Sequence, residues 1–283
     1  LNMFDPQSID GALRHAHDPL LRRVEEAGLN AAQPREQLLV DGWLLRFSPG
    51  KARRARSVQA IAAGTLPLGD KLALCRRWYE RFGLPLLIRL TPFSQPASLD
   101  DRLADAGFIG YDETRVMTCS LVGDALDGLP AADHDLALRE VGVPEFAQAV
   151  GRLRRSPPAQ IDAQRRRLLD GPLLASTVRL IGFDVGNVPR VAGQVVVEDD
   201  LAGLYDIVTD PAERGRGHAG DVSRRLLGAA VAMGAGTAYL QVDAGNAPAR
   251  RVYSKLGFVD RYAYWYRRPA DAVDEIQQES QST

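Results

Sequence analysis

The segment Ile207-Val-Thr-Asp-Pro-Ala-Glu-Arg-Gly-Arg-Gly-His-Ala-Gly220 limits the possible folds most sharply: an apolar strand enters a glycine-rich turn and passes directly into an amphipathic helix. Such a turn leaves backbone N–H groups bare. At a helix N-terminus these donors join the positive end of the helix dipole, and the missing side chains let an anion approach closely. Pyrophosphate suits that geometry. A P-loop would need Lys-Ser/Thr after the last glycine, whereas Gly217 is followed by His218-Ala219-Gly220. Gly215-x-Gly217-x-x-Gly220 fits the spacing of a dinucleotide-binding turn, but that match is weak alone and the segment after the helix differs.

After the helix comes Ala238-Tyr-Leu-Gln-Val-Asp-Ala-Gly-Asn246-Ala-Pro-Ala249-Arg-Arg-Val-Tyr253-Ser-Lys-Leu-Gly257-Phe258. Arg214, Gly217 and Ala219 supply the pattern R/Q-x-x-G-x-G/A, and Asn246, Ala249, Tyr253, Gly257 and Phe258 supply N-x-x-A-x-x-x-Y-x-x-x-G-F. In this order, with a strand between them, the two motifs resemble the GNAT N-acetyltransferase superfamily from about His134 to Arg268. The resemblance implies an α+β fold with a mixed, mainly antiparallel central sheet and flanking helices. It also implies acetyl-CoA as acetyl-donor co-substrate and no metal. The backbone of Ile207, Val208 and Thr209 would pair with the pantetheine arm, and the amides of Gly215, Arg216, Gly217, His218, Ala219 and Gly220 would take the pyrophosphate. Asn246 and Ala249 would contact the cofactor, and Tyr253 would also protonate the departing thiolate. Asn246 precedes Ala-Pro-Ala, so it also reads as a helix N-cap.

The base is where the sequence departs from well-known relatives. Family members that carry a glutamate on the strand before the turn, or on the strand after the helix, have it at positions that align with Gly203 and Gln241. Asp243 shares a strand face with Gln241 by period-two alternation and is the nearest substitute. Asp206 alternates with Tyr205 and Ile207 and ranks lower.

A chain of 283 residues, 45% hydrophobic, has room for two ordinary domains. The boundaries read as 1–130, a smaller α/β lobe; 131–268, the complete GNAT domain; and 269–283, a flexible polar tail. In the first part, strands are expected at Gly42–Ser48, Arg56–Ile61, Pro85–Thr91 and Thr114–Leu121, with helices between them. Its fragment Leu99-Asp-Asp-Arg-Leu-Ala-Asp-Ala-Gly107-Phe108 echoes Lys255-Leu-Gly257-Phe258, but no arginine-glycine turn precedes it. A degenerate GNAT-like half is the reading; an unrelated small α+β domain is the alternative. In the second part, the order is Leu136–Arg139 as strand and helices Pro144–Arg154 and Ala159–Leu169. Strands Ala175–Phe183, Val191–Glu198 and Leu201–Thr209 come next, then helix Gly217–Met233.

With 35 basic and 36 acidic residues, no overall field steers the chain to nucleic acid or an anionic membrane. Cys75 and Cys119 stand far apart and outside metal-ligand spacing, and no signal-peptide or membrane-spanning pattern occurs, so a cytoplasmic protein is expected. Lys51-Ala-Arg-Arg-Ala-Arg56 reads as a charged hairpin turn, and His15 and His17 lack further metal ligands. Tyr262, Tyr264, Trp265 and Tyr266 read as core, with one ring free to line an acceptor site. A small-molecule amine or amino acid is the expected acceptor. A protein N-terminal or lysine amine, and a non-catalytic acyl-CoA sensor, are the alternatives.

Overall fold

A computed structural model describes residues 9, 11–14, 18–48, 52–123, 136–171 and 174–272. The first part contains α1 (Gly11–Arg14), α2 (Pro19–Ala31), β1 (Glu36–Val40), β2 (Trp43–Phe47), β3 (Val58–Gln59), α3 (Leu68–Arg81), β4 (Ile88–Leu90), α4 (Leu99–Asp105) and β5 (Phe108–Ser120). The second contains β6 (Ala137–Glu140), α5 (Val143–Leu153), α6 (Pro158–Leu169), β7 (Ser176–Phe183), β8 (Pro189–Glu198), β9 (Leu201–Thr209), α7 (His218–Ala232), β10 (Thr237–Asp243), α8 (Ala247–Lys255) and β11 (Val259–Pro269).

Local chemistry sets most of these boundaries. Asp18 caps α2 by accepting from the Leu20 amide at 2.9 Å, with Pro19 in the first turn where no N–H is needed. Pro144 and Pro158 likewise stand in the first turns of α5 and α6, which have no side-chain cap. On α7, Val222, Leu226, Leu227 and Ala230 are buried, whereas Val231, which shares their spacing, is largely exposed.

All the strands join one eleven-stranded sheet in the order β1-β2-β3-β4-β11-β5-β10-β9-β8-β7-β6. At its centre the two parts interlock. β11 of the second part lies between β4 and β5 of the first, and β5 lies between β10 and β11. The packing is exchanged as well as the hydrogen bonding. Met117 and Cys119 of β5, with Leu121 just past its end, enter the core under α7 and α8, while Ala263 and Trp265 of β11 enter the core of the first part. The echoed Gly107-Phe108 and Gly257-Phe258 occupy matching places, each joining a helix to one of the two exchanged strands. A fragment starting at residue 136 would therefore lose the strand that connects β10 to β11.

A third core packs α2 against the opposite face from α7 and α8, through Leu21, Val24 and Ala27 against Leu201, Tyr239, Tyr262 and Tyr264. Inside it the Arg89 guanidinium pairs with both Glu25 oxygens, and Tyr262 Oη donates to Glu25 Oε2 at 2.7 Å. Each charge in this buried pair is thereby hydrogen bonded, the condition under which such a pair is tolerated.

Three expectations need correction. The chain enters the sheet earlier than Gly42: β1 precedes a two-residue turn at Asp41-Gly42, both with positive φ, and Val40 pairs with Trp43. The expected strand Arg56–Ile61 shrinks to Val58–Gln59, because Arg53–Ala55 forms a 3-10 turn and Arg56 is buried rather than in a solvated hairpin. The polar tail begins later than residue 269, since Pro269 ends β11 and Ala270–Ala272 form a 3-10 turn. Lys51, His15, His17 and residues 273–283 lie outside the described residues.

Candidate active site

β9 and β10 run parallel only from Leu201↔Thr237 to Leu204↔Leu240. Beyond that point β10 continues along β5 to Asp243↔Thr114, while β9 continues along β8 to Thr209↔Val191. The strands splay, and the β9 edge from Tyr205 to Thr209 faces a gap. A bulge sharpens the divergence: Asp206 has φ +53°, and the β8 pairing slips between Ala192 and Gln194. Ile207, Val208 and Thr209 stand along this opening, so their backbone is placed to pair with an extended ligand strand, as sheet edges do.

The glycine turn closes the end of the gap. Gly215 and Gly217 have φ +82° and +88°, backbone that side chains rarely adopt, and Gly217 is the N-cap of α7. The turn and the first amides of α7, from His218 to Gly220, present a concave set of N–H donors at a positive helix end. Arg214 is exposed beside it, and Arg216 pairs with Glu213 at 2.8 Å. The His218 side chain turns inward and is buried, with Nε2 3.7 Å from the Glu213 carboxylate. Its part in the turn is left to its backbone. These features fit a pyrophosphate: donors without side chains in front of them, and a helix dipole of the right sign.

α8 stands against the same helix start, with Val252 Cγ1 nearest to Gly220. Asn246 is its N-cap, accepting from the Ala249 amide at 3.1 Å. Tyr253 packs in the α7/α8 core, edge-on to Phe258 at 6.0 Å, and its hydroxyl makes no hydrogen bond to the described residues. Burial pushes the phenol up to about 12. It therefore keeps its proton throughout the neutral range, as a general acid must.

On the other face, the side chains that could meet an acceptor are Tyr205, Gln241, Tyr264 and Asp243. A carboxylate at position 203 has no room, since even a Cβ there would stand 2.6 Å from the rings of Tyr205 and Tyr239. These two hydroxyls bond each other at 2.8 Å. Gln241 Oε1 accepts from Tyr264 Oη at 3.0 Å. Asp243 is exposed at the end of β10, accepting from the Gly245 amide at 2.8 Å.

The bulge overturns simple alternation at Asp206. Ile207 packs toward α7, while Asp206 turns to the same face as Tyr205, accepting from Gln194 Nε2 at 2.8 Å and pairing at 2.9 Å with Arg154, the C-cap of α5. Burial works to raise its pKa, but Arg154 and then Arg167 outweigh it and hold the carboxyl below the usual range. A depressed, ion-paired carboxylate is a poor base. It contributes stability instead, with a definite sign: the contribution is complete above the unfolded value of ~4 and is lost as pH falls through the lower folded value. The stability gap between wild type and Asp206→Asn, from urea midpoints, is expected to be full at pH 6 and to shrink steadily below pH 4. A gap independent of pH would contradict the pairing.

Sequence reasoning missed Asp112. It lies in a second bulge, φ +59°, on β5, where the Glu113 carbonyl accepts from the Ala244 amide at 3.0 Å just past Asp243. Arg53 Nη1 donates to it at 2.9 Å. Burial raises the Asp112 carboxyl, with Arg53 opposing and Asp243 adding to the rise. No local spacing could reveal this residue, because only the exchanged strand brings it to the end of β10.

Comparison with known proteins fits this geometry. The family model described as "Probable histone acetyltransferase Rv0428c C-terminal" matches residues 20–267. The chain is 28% identical over 251 residues to the uncharacterized N-acetyltransferase YobR of Bacillus subtilis, covering 87% of this chain and 98% of YobR. Two solved structures share the fold. A GCN5-related N-acetyltransferase from Kribbella flavida superposes with TM-score 0.65 at 12% identity, over 90% of this chain and 97% of that one. A tandem GNAT protein from the clavulanic acid biosynthesis pathway superposes with TM-score 0.58 at 14% identity, over the same shares.

Proposed function

The chain belongs to the acetyltransferase family described as Rv0428c C-terminal, within the GNAT superfamily, and from that premise we propose that it moves the acetyl group of acetyl-CoA to the primary amine of a small molecule or amino acid. The enzyme is an acyltransferase of the N-acetyltransferase type. One observation carries the finer reading: the β9–β10 splay runs directly into the glycine turn and the start of α7. A ligand with an extended amide-bearing arm and a pyrophosphate fits both features in that order.

Acetyl-CoA would supply an activated acyl carbon on a thiol leaving group. Residues Gly215 to Gly220 would hold its pyrophosphate, and the β9 edge from Ile207 to Thr209 its arm. In this reading Tyr253 Oη holds the proton that the leaving sulfur needs. The amine must lose a proton as it attacks, and with positions 203 and 241 lacking a carboxylate, the nearest acceptors are Asp243 and Asp112. Burial raises the Asp112 carboxyl and so favours its taking a proton, although its pairing with Arg53 opposes that rise. A cytoplasmic setting belongs to the same reading and is supported by two buried free thiols, Cys75 and Cys119.

The test is release of free CoA thiol from acetyl-CoA with a broad panel of small amines. Amine-dependent thiol release is expected. Tight acetyl-CoA binding without release for any amine would favour an acyl-CoA sensor instead.

A further inference from the structure

The first part of the chain contributes an unusual group to the acceptor face. Arg54 lies in the 3-10 turn Arg53–Ala55, whose carbonyl at position 54 is held by Arg46 Nη1 at 3.3 Å and by Gln59 Nε2 at 3.5 Å. Its guanidinium lies over the Tyr205 ring, 5.6 Å from the centroid, with Tyr264 and Tyr266 within electrostatic reach. Tyr205 stands where β9 leaves β10. The Arg54 Nε is shut off from water without a hydrogen-bond partner, and the group pairs with no carboxylate among the described residues.

A second guanidinium lies within electrostatic reach of the first. Arg167 of α6 acts on Arg54, Arg154 and Asp206 and makes no hydrogen bond to the described residues. Gln160 and Gln164 recur with Arg167 at helical spacing, one face of α6, and each has a buried amide atom without a partner. Among the described residues the carboxylate that acts on Arg167 is Asp206, which is already engaged by Arg154 and Gln194, and Arg179 also faces it. Three arginines, Arg154, Arg167 and Arg179, thus face one occupied aspartate, and Arg54 acts on Arg167 beside them. Like charges in a poorly hydrated cleft repel one another, and an anion between them relieves that repulsion.

Resting on the acetyl-transfer reading above, we infer that Arg54 and Arg167 form a binding site for an anionic group on the acceptor, a carboxylate or a phosphate. The planar guanidinium forks suit both groups and can grip either through paired hydrogen bonds. Arg54 lies over Tyr205, where β9 leaves β10, and its neighbour Arg53 holds Asp112, so an acceptor held here would have its amine within reach of the gap. The acceptor is then an amine with a nearby negative charge, and the first part of the chain selects it.

The experiment measures thiol release by the full chain with matched amines: amino acids against their amides, and amino sugars against their phosphates. The anionic member of at least one pair is expected to exceed its neutral partner in kcat/KM by about 10- to 100-fold, the worth of a charge-assisted hydrogen bond. The pair that responds identifies the group as carboxylate or phosphate. In Arg54→Gln and in Arg167→Gln, both checked for native thermal melting, that ratio is expected to collapse toward one. Equal turnover within every pair, or a ratio unchanged in both variants, overturns the site. If no amine is acetylated, the transfer reading fails separately. The site is then judged by whether inorganic phosphate raises Tm of the acetyl-CoA-saturated protein above an equal ionic strength of chloride. A rise abolished in the Arg54→Gln/Arg167→Gln double variant supports it, and no rise overturns it.

Discussion

Gly217→Asp is expected to lower acetyl-CoA affinity by about 100-fold or more, roughly 3 kcal/mol, while the protein stays folded. Two effects act together. Gly217 holds φ +88° as the N-cap of α7, a conformation that costs a side-chain-bearing residue energy. The new carboxylate would also stand among the donors meant for a diphosphate, matching its charge in sign. The turn lies at the surface, so the substitution has little core to disturb. Calorimetric titration of the variant, with its melting curve as a folding control, checks the expectation. Unchanged affinity in a folded variant would remove the pyrophosphate from this turn.

Tyr253→Phe is expected to lower kcat by about 10²–10⁴-fold, the range of a general acid, with acetyl-CoA affinity nearly intact. The substitution keeps the ring and its edge-on contact with Phe258 at 6.0 Å, so packing is preserved and only the hydroxyl is lost. Because burial raises the phenol to about 12, wild-type Tyr253 remains protonated through the neutral range and adds no ionisation of its own to a pH–rate profile there. Steady-state kinetics separate the two parameters. A kcat within about twofold of wild type would mean that another group or solvent protonates the thiolate.

The parts of the site legible in the sequence are those that local chemistry dictates. Glycines at 215 and 217 announce a turn, and Asn246 before Ala-Pro-Ala announces a helix start; the structure has both. The Asp41-Gly42 turn was equally local and marks a hairpin that would have revealed β1. Other features depend on distant partners. Alternation places Asp206 away from Tyr205, and the slip against β8 reverses that placement. Arg54 looks like part of a charged turn until β3 and β4 carry it over Tyr205. Asp112 reaches the end of β10 only because β5 is exchanged between the halves, and nothing within a few residues of it encodes that crossing.

The β9–β10 splay and the α7 turn are expected to form a single acetyl-CoA site in the intact chain, with the first part of the chain serving the acceptor. Before Asp124 no R-x-x-G-x-G/A run occurs, although the helix and Gly-Phe ending are repeated. Equilibrium titration of the intact protein with acetyl-CoA measures this directly. One molecule bound per chain is predicted; two equivalent sites per chain, or no binding at all, would contradict it.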